Sequence, residues 1–189
     1  MNKPEYFIIH TEASPVITTA PRFDVVNQYH RTLDFPKSSL GWYVGYHFFI
    51  EKSGKLIQAK LDSDEGAHTK GYNLCSLGIC LAGNGDEEMP TAEQTATLKN
   101  LLTEKSKQYN IPTERIVPHR HFLEHREKTC YGRLLSDSWA ASLVSYMPQP
   151  DIVQKITLYR KLIALYQQLI ALLQVKKVGG RNDHDHCEI

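Results

Sequence analysis

The stretch Tyr6-Phe7-Ile8-Ile9-His10 decides the reading of the fold. It is an apolar run of strand length that ends in a histidine, and it reads as a short buried strand. A second continuous apolar run, residues 77–82, is a candidate central strand. Between the two, residues 22–34 carry Phe23, Val26, Tyr29 and Leu33 at helical spacing, closed by Pro36 and Gly41. Residues 46–52 and 55–59 flank Ser53-Gly54 as a hairpin, and the polar segment 63–73 reads as a loop. Thr91 with Gln94 three residues on is a capping box, and the helix it opens carries Ala96, Leu98, Leu101 and Leu102 before Asn110 and Pro112. A short strand over 115–118 and a helix over 133–146 complete the pattern. Alternating strands and helices predict an α/β domain, a central mixed β-sheet flanked by helices.

Of the 189 residues, 41% are hydrophobic, enough for a core. With 22 Lys and Arg against 21 Asp and Glu, the chain lacks the basic excess of a nucleic-acid binder. Met1-Asn2-Lys3-Pro4 runs into the first strand without an apolar leader, so no signal peptide is expected. Cytoplasmic synthesis, or release by a route other than the general secretory one, follows as the expectation. Four cysteines, Cys75, Cys80, Cys130 and Cys187, are too few and too uneven for a disulfide scaffold.

Met147-Pro148-Gln149-Pro150 marks a boundary. Beyond it LYRKLIA (158–164) is followed by LYQQLIA (165–171). Ile156, Ile163 and Ile170 recur every seven residues, as do Tyr159, Tyr166 and Leu173, which are heptad a and d positions. The expected organisation is a domain over 1–147, an amphipathic heptad helix over 148–178 that packs or forms a homo-oligomer, and a disordered tail over 179–189. Recurrent polar residues argue against a transmembrane span. Membrane-surface binding is the weaker reading, because the polar face carries few positive charges.

His10, His119 and Cys130 together would make a three-ligand zinc site with one position open to water, the arrangement of a catalytic rather than a structural zinc. Such an ion supplies acidified water and polarises a carbonyl, the two halves of amide hydrolysis. With nine histidines in the chain, spacing alone does not decide the matter.

Four stretches resemble one family over roughly residues 6–140. They are Ile8-Ile9-His10-Thr11; Gly41-Trp42 with Gly45-Tyr46-His47-Phe48; Gly66-Ala67-His68-Thr69-Lys70-Gly71-Tyr72-Asn73 with Ser76-Leu77-Gly78-Ile79; and Pro118-His119-Arg120 with Lys128-Thr129-Cys130. In this order they are similar to the type-2 N-acetylmuramoyl-L-alanine amidases, which include phage amidase-type lysozymes and are related to peptidoglycan recognition proteins. The resemblance implies cleavage of the amide between N-acetylmuramic acid and the L-alanine of the stem peptide, with peptidoglycan or muropeptides as partner. It implies His10, His119 and Cys130 as zinc ligands. Tyr46 and Lys128 match the tyrosine and lysine beside the metal, suited to proton relay and oxyanion stabilisation. Two departures stand out. Cys130-Tyr131-Gly132 replaces Cys-Pro-Gly, so a different turn is expected, and His121 stands where an Asp commonly follows His-Arg.

His121 and His125 thus compete with His119 as ligand. His47, alternating with Tyr46, is expected on the opposite face as a core histidine. His68 and Asn73, in the loop resembling the substrate groove, are the candidate substrate-binding residues, with a loop or turn role as the alternative for each. Cys75 and Cys80 read as core thiols, and His184, His186 and Cys187 as a solvated tail. The rival function is a module that holds peptidoglycan without cutting it, for which loss of the cysteine ligand is the expected mark; Cys130 is present.

Overall fold

The computed structural model describes residues 1–13, 20–144 and a helix over 152–178, with side chains described within that helix from 155 to 173. The chain divides into two compact units, Met1–Pro148 and Gln149–Ile189.

In the first unit the strand expected from YFIIH is β1 (Tyr6–Thr11). It lies inside a five-stranded sheet, paired in parallel with β4 (Ser76–Leu81) on one side and β5 (Ile116–Pro118) on the other. Beyond β4 come β2 (Phe48–Ile50), parallel to it, and β3 (Leu56–Gln58), antiparallel to β2. Because side chains alternate along a strand, β1 sends Phe7 and Ile9 to one face and Ile8 and His10 to the other. The first face packs with Ile79, Leu81, Phe48 and Ile50 against Leu98, Leu101 and Leu102 of α2 (Ala92–Tyr109). Each of these buried side chains contributes about 1.5–3 kcal/mol before entropy. The second face is covered partly by Phe23 and Val26 of α1 (Phe23–Thr32) over Phe49 and Cys80, and partly by Phe122 over Ile8 and Val117. His10 lies on this second face.

The ends of α2 follow the sequence reading. Thr91 and Gln94 form the capping box, and Asn110 closes the helix in the left-handed conformation. The N-terminus of α1 is stabilised from outside. Glu51, at the end of β2, accepts the backbone N–H groups of Arg22 and Phe23 at 2.8–2.9 Å, and its charge complements the helix dipole.

Three expectations are corrected. The buried stripe of α1 is Phe23, Val26 and His30, while Tyr29, inside the helix, and Leu33, which falls beyond its end at Thr32, are exposed. Tyr46 and His47 precede the regular strand, so alternation does not separate them; both rings lie about 6 Å from that of His68. Of the helix expected over 133–146, the described residues, which in this unit end at Val144, hold only α3 (Trp139–Ser142). The Arg120 guanidinium takes the carbonyls of Thr129, Gly132 and Leu135, so Leu135 O bonds Arg120.

The second unit contains α4 (Ile152–Val178), whose described side chains are exposed. The expected boundary at Met147-Pro148 and the tail with His184, His186 and Cys187 lie outside the described residues. No helix among the described residues is long and apolar enough to cross a membrane.

Two buried histidines fasten loops to the sheet as neutral acceptors. Gly45 N donates to His30 Nδ1 at 3.0 Å, and Gly78 N donates to His47 Nδ1 at 3.1 Å. Burial pushes both imidazoles down to about 4. A depressed histidine adds stability that is complete above the unfolded value of about 6.5 and lost as pH falls through the folded one. Stability measured by urea denaturation should therefore fall steadily between pH 6.5 and 4, by several kcal/mol in total. A denaturation midpoint unchanged across that window would show that neither ring is held neutral by the fold.

Candidate metal centre

His10 occupies the C-terminal end of β1 and is 2% exposed. His119 follows β5 directly, so the parallel neighbour of β1 delivers the second histidine to the same end of the sheet. Their rings are 4.7 Å apart, centre to centre. Cys130 Sγ lies 3.5 Å from His10 Nδ1. One donor atom from each of His10, His119 and Cys130 falls within 4.8 Å of the other two. His121 and His125 stand outside this cluster: His121 packs edge-on against Phe122, and His125 Nε2 reaches the Lys70 carbonyl at 3.1 Å.

The two imidazoles are in the state a cation requires. Burial, reinforced by the neighbouring histidines, holds His10 well below its ordinary value. Burial, with His125 and Lys128 nearby, brings His119 down to about 4. Both are neutral imidazoles at pH 7. Among the described residues His119 Nε2 is buried without a hydrogen-bond partner, at a cost of about 1–3 kcal/mol unless a ligand fills it. Burial pushes the Cys130 thiol up to about 12, and a coordinating metal reverses that by deprotonating the thiol. Two neutral imidazoles and a thiol form a donor set suited to zinc.

A hydrogen-bond chain orients His10. Ser76 donates its only proton to the Tyr72 carbonyl at 2.6 Å, leaving its oxygen to accept from His68 Nε2 at 3.4 Å. His68 Nδ1 is then an acceptor, reached by His10 Nε2 at 3.2 Å and by the Thr69 hydroxyl at 3.0 Å. With its proton on Nε2, His10 presents the Nδ1 lone pair toward Cys130. The His68 ring lies over Gly78 and Gly66, where a Cβ would come within 2.5 and 2.6 Å of it. Asn73 Oδ1 accepts the N–H groups of His68 and Thr69 at 3.0 and 2.9 Å and so fixes the loop. The Tyr46 ring stands 5.0 Å from that of His10, its phenol pushed up by burial and by Cys80 and Cys130. Lys128 is exposed, its ammonium 3.9 Å from the Glu127 carboxylate.

Several site-building residues escape sequence reasoning. Arg120 ties the two ligand segments together. Its backbone N–H donates to the Cys130 carbonyl at 3.2 Å, and its guanidinium joins three carbonyls of the loop and the Asp137 carboxylate at 2.7 Å. Asp86 accepts the Thr129 hydroxyl at 2.7 Å and the Arg133 N–H at 2.8 Å. Gly132, at φ +124°, packs on Gly85 so closely that a Cβ on either would strike backbone. The Tyr131 side chain, standing where the resembling family usually has proline, is fully buried and shares its hydroxyl proton between the Ser136 and Asp137 carbonyls. Lys60 is 2% exposed.

A mixed sheet with one face clad by a long helix carries a His–His–Cys cluster at the C-terminal end of β1. The chain belongs to the N-acetylmuramoyl-L-alanine amidase family, whose model matches residues 1–133. It is 43% identical over 76 residues to the endolysin of Klebsiella phage KP32, covering 36% of this chain and 50% of that protein. It is 30% identical over 139 residues to peptidoglycan-recognition protein LB of Drosophila melanogaster, covering 71% of this chain and 58% of that one. The matches thus span half to less than two thirds of these relatives' length. The fold is similar to N-acetylmuramoyl-L-alanine amidase LysC from Clostridium intestinale, with a TM-score of 0.60 at 23% identity over 75% of this chain and 85% of that one.

Removal of the Arg120 side chain should loosen the ligand loop. Arg120→Ala is expected to cost about 3 kcal/mol, the scale of a charged group's lost hydrogen bonds. Arg120→Lys should recover less than half, because an ammonium cannot span three carbonyls and a carboxylate as a planar fork does. Thermal denaturation reads both, and wild-type stability in Arg120→Ala would remove the residue from this role.

Proposed function

We propose that this chain is a zinc-dependent peptidoglycan amidase that hydrolyses the amide between N-acetylmuramic acid and L-alanine of the stem peptide. The observation that carries the reading is the convergence of His10, His119 and Cys130, with His119 Nε2 buried and without a partner among the described residues. Family membership and the endolysin relatives support it. His10 Nδ1, His119 and Cys130 would hold the ion, which when bound supplies Lewis acidity and acidifies water to a pKa of about 7.

The remaining roles belong to the chain's own groups. Burial keeps the Tyr46 phenol protonated, so at neutral pH it donates a hydrogen bond beside His10 and can hand a proton on. The Lys128 ammonium offsets negative charge developing on the scissile carbonyl oxygen. His68 holds His10 in the tautomer that exposes Nδ1. Asn73 shapes the loop that borders the substrate. The presence of Cys130 favours catalysis over binding alone.

Purified protein loaded with zinc should bind one ion per chain and release free stem peptide from muropeptides, read by elemental analysis and mass spectrometry. His10→Ala and Cys130→Ser should each lose most of the metal; full occupancy in both would refute the ligand set. His68→Ala should keep the ligands but weaken zinc affinity about 10–100-fold. Lys128→Ala should retain zinc and fold while turnover falls on the order of 10²–10³. Turnover equal to that of the parent protein would exclude Lys128 from the chemistry.

A further inference from the structure

We propose that the cavity bounded by residues 36–39 and 64–67 binds a carboxylate, with the Lys60 ammonium as its counter-charge. The cavity holds about 460 Å³, and its walls include Lys37, Lys60, Asp64, Glu65, Gly66 and Asn73. Lys60 is among the largest fully buried side chains. Among the described residues its ammonium has neither a hydrogen bond nor an ion pair; Asp64 and Glu65 act on it only at longer range. Two other lysines show how this fold treats a cation that it partly covers. Lys52 and Lys105, each 14% exposed, are both closed by a carboxylate at 2.7 Å. The more deeply buried ammonium is the one left open, and it lines a cavity. A buried charge is costly unless paired, so Lys60 stands ready for a group from outside the chain.

The surrounding charges select that group. Asp64 is already engaged: its carboxylate accepts the Ser39 N–H at 3.2 Å, the Ser39 hydroxyl at 2.7 Å and the Leu61 N–H at 3.1 Å. Glu65 is exposed. Lys37 shares the Tyr43 ring with Arg31, at 5.9 and 5.5 Å from its centre. Lys37, Lys60 and Arg31 thus stand against two carboxylates, and the buried member of the five is a cation. A metal ion or an amine would be repelled by Lys60. A phosphate dianion would bring two charges to a surplus of one. A carboxylate brings one charge and two acceptor oxygens, and the volume is that of a small-molecule pocket.

One loop joins this cavity to the metal centre. Asn73, on its wall, accepts the N–H of His68, and the His68 ring lies against Gly66, also on the wall. His68 in turn bonds His10. Two sources share the ligand chemistry. One is a carboxylate of the stem peptide, which rests on the amidase reading; the other is a small free carboxylate, which does not.

The test is calorimetry on the full chain without added metal, so that neither zinc nor turnover enters. The probes are an N-acetylated stem tetrapeptide as the free acid, the same peptide with its carboxylates amidated, and N-acetylalanine beside its amide. In the parent protein at least one acid should bind about 10–100-fold tighter than its amide, the range of one hydrogen bond to a charged group. Lys60→Met should bring acid and amide to equal affinity. A preference for the tetrapeptide acid alone names the stem peptide as the source, and a preference for N-acetylalanine as well names a free carboxylate. Without ligand, Lys60→Met should leave the thermal midpoint unchanged or raised, because an unpaired buried charge is removed. Equal affinity of every acid and its amide in the parent protein overturns the proposal, as does a preference that survives Lys60→Met. Absence of turnover on muropeptides counts against the amidase reading and leaves this site standing.

Discussion

Everything in the first unit is referred to β1, a strand with parallel partners on both sides. Its backbone hydrogen bonds are satisfied in both directions, so its register cannot slip without disturbing β4 and β5 together. A one-residue shift would turn Phe7 and Ile9 out of the α2 interface and place His10 in the apolar core. The hydrophobic demand of the face against α2 thus fixes the direction of a histidine on the opposite face. Because β5 runs parallel to β1, the residue that follows it emerges at the same end of the sheet, and that residue is His119.

The third member of the cluster is held differently. Cys130 belongs to no strand or helix, and its segment is fixed by polar contacts with Arg120 and Asp86 and by the approach of Gly132 to Gly85. Loop carbonyls that would otherwise seek water are gathered on one guanidinium. The same gathering cuts short the helix over 133–146 that local sequence favours.

The sequence shows those parts of the structure that obey local rules. β1, β4 and α2 are legible because an apolar run, a second apolar run and a capping box each act over a few residues. The pairing of His10 with His119 and Cys130 is suggested by family resemblance, whereas the orientation of His10 depends on Ser76 and His68, whose proximity no local pattern encodes. Tyr46 and His47 show the limit from the other side: alternation holds only where the backbone is a regular strand, and theirs is not. Arg120 reads as one half of a His-Arg pair, and nothing nearby marks it as the anchor of a loop that begins nine residues later.

Tyr131 links two properties usually treated apart. It adjoins Cys130 in the chain, and its ring belongs to the cluster that includes Leu98, Leu102 and Leu135. A prolyl ring would stiffen that corner by itself; a buried tyrosine makes its rigidity depend on the packing of α2. Sequence drift among the leucines of that helix is therefore felt at the cysteine, which packs against the same cluster. Lineages carrying tyrosine here should tolerate fewer changes in the α2 core than those carrying proline, and the cost of a poor core would show first at the cysteine.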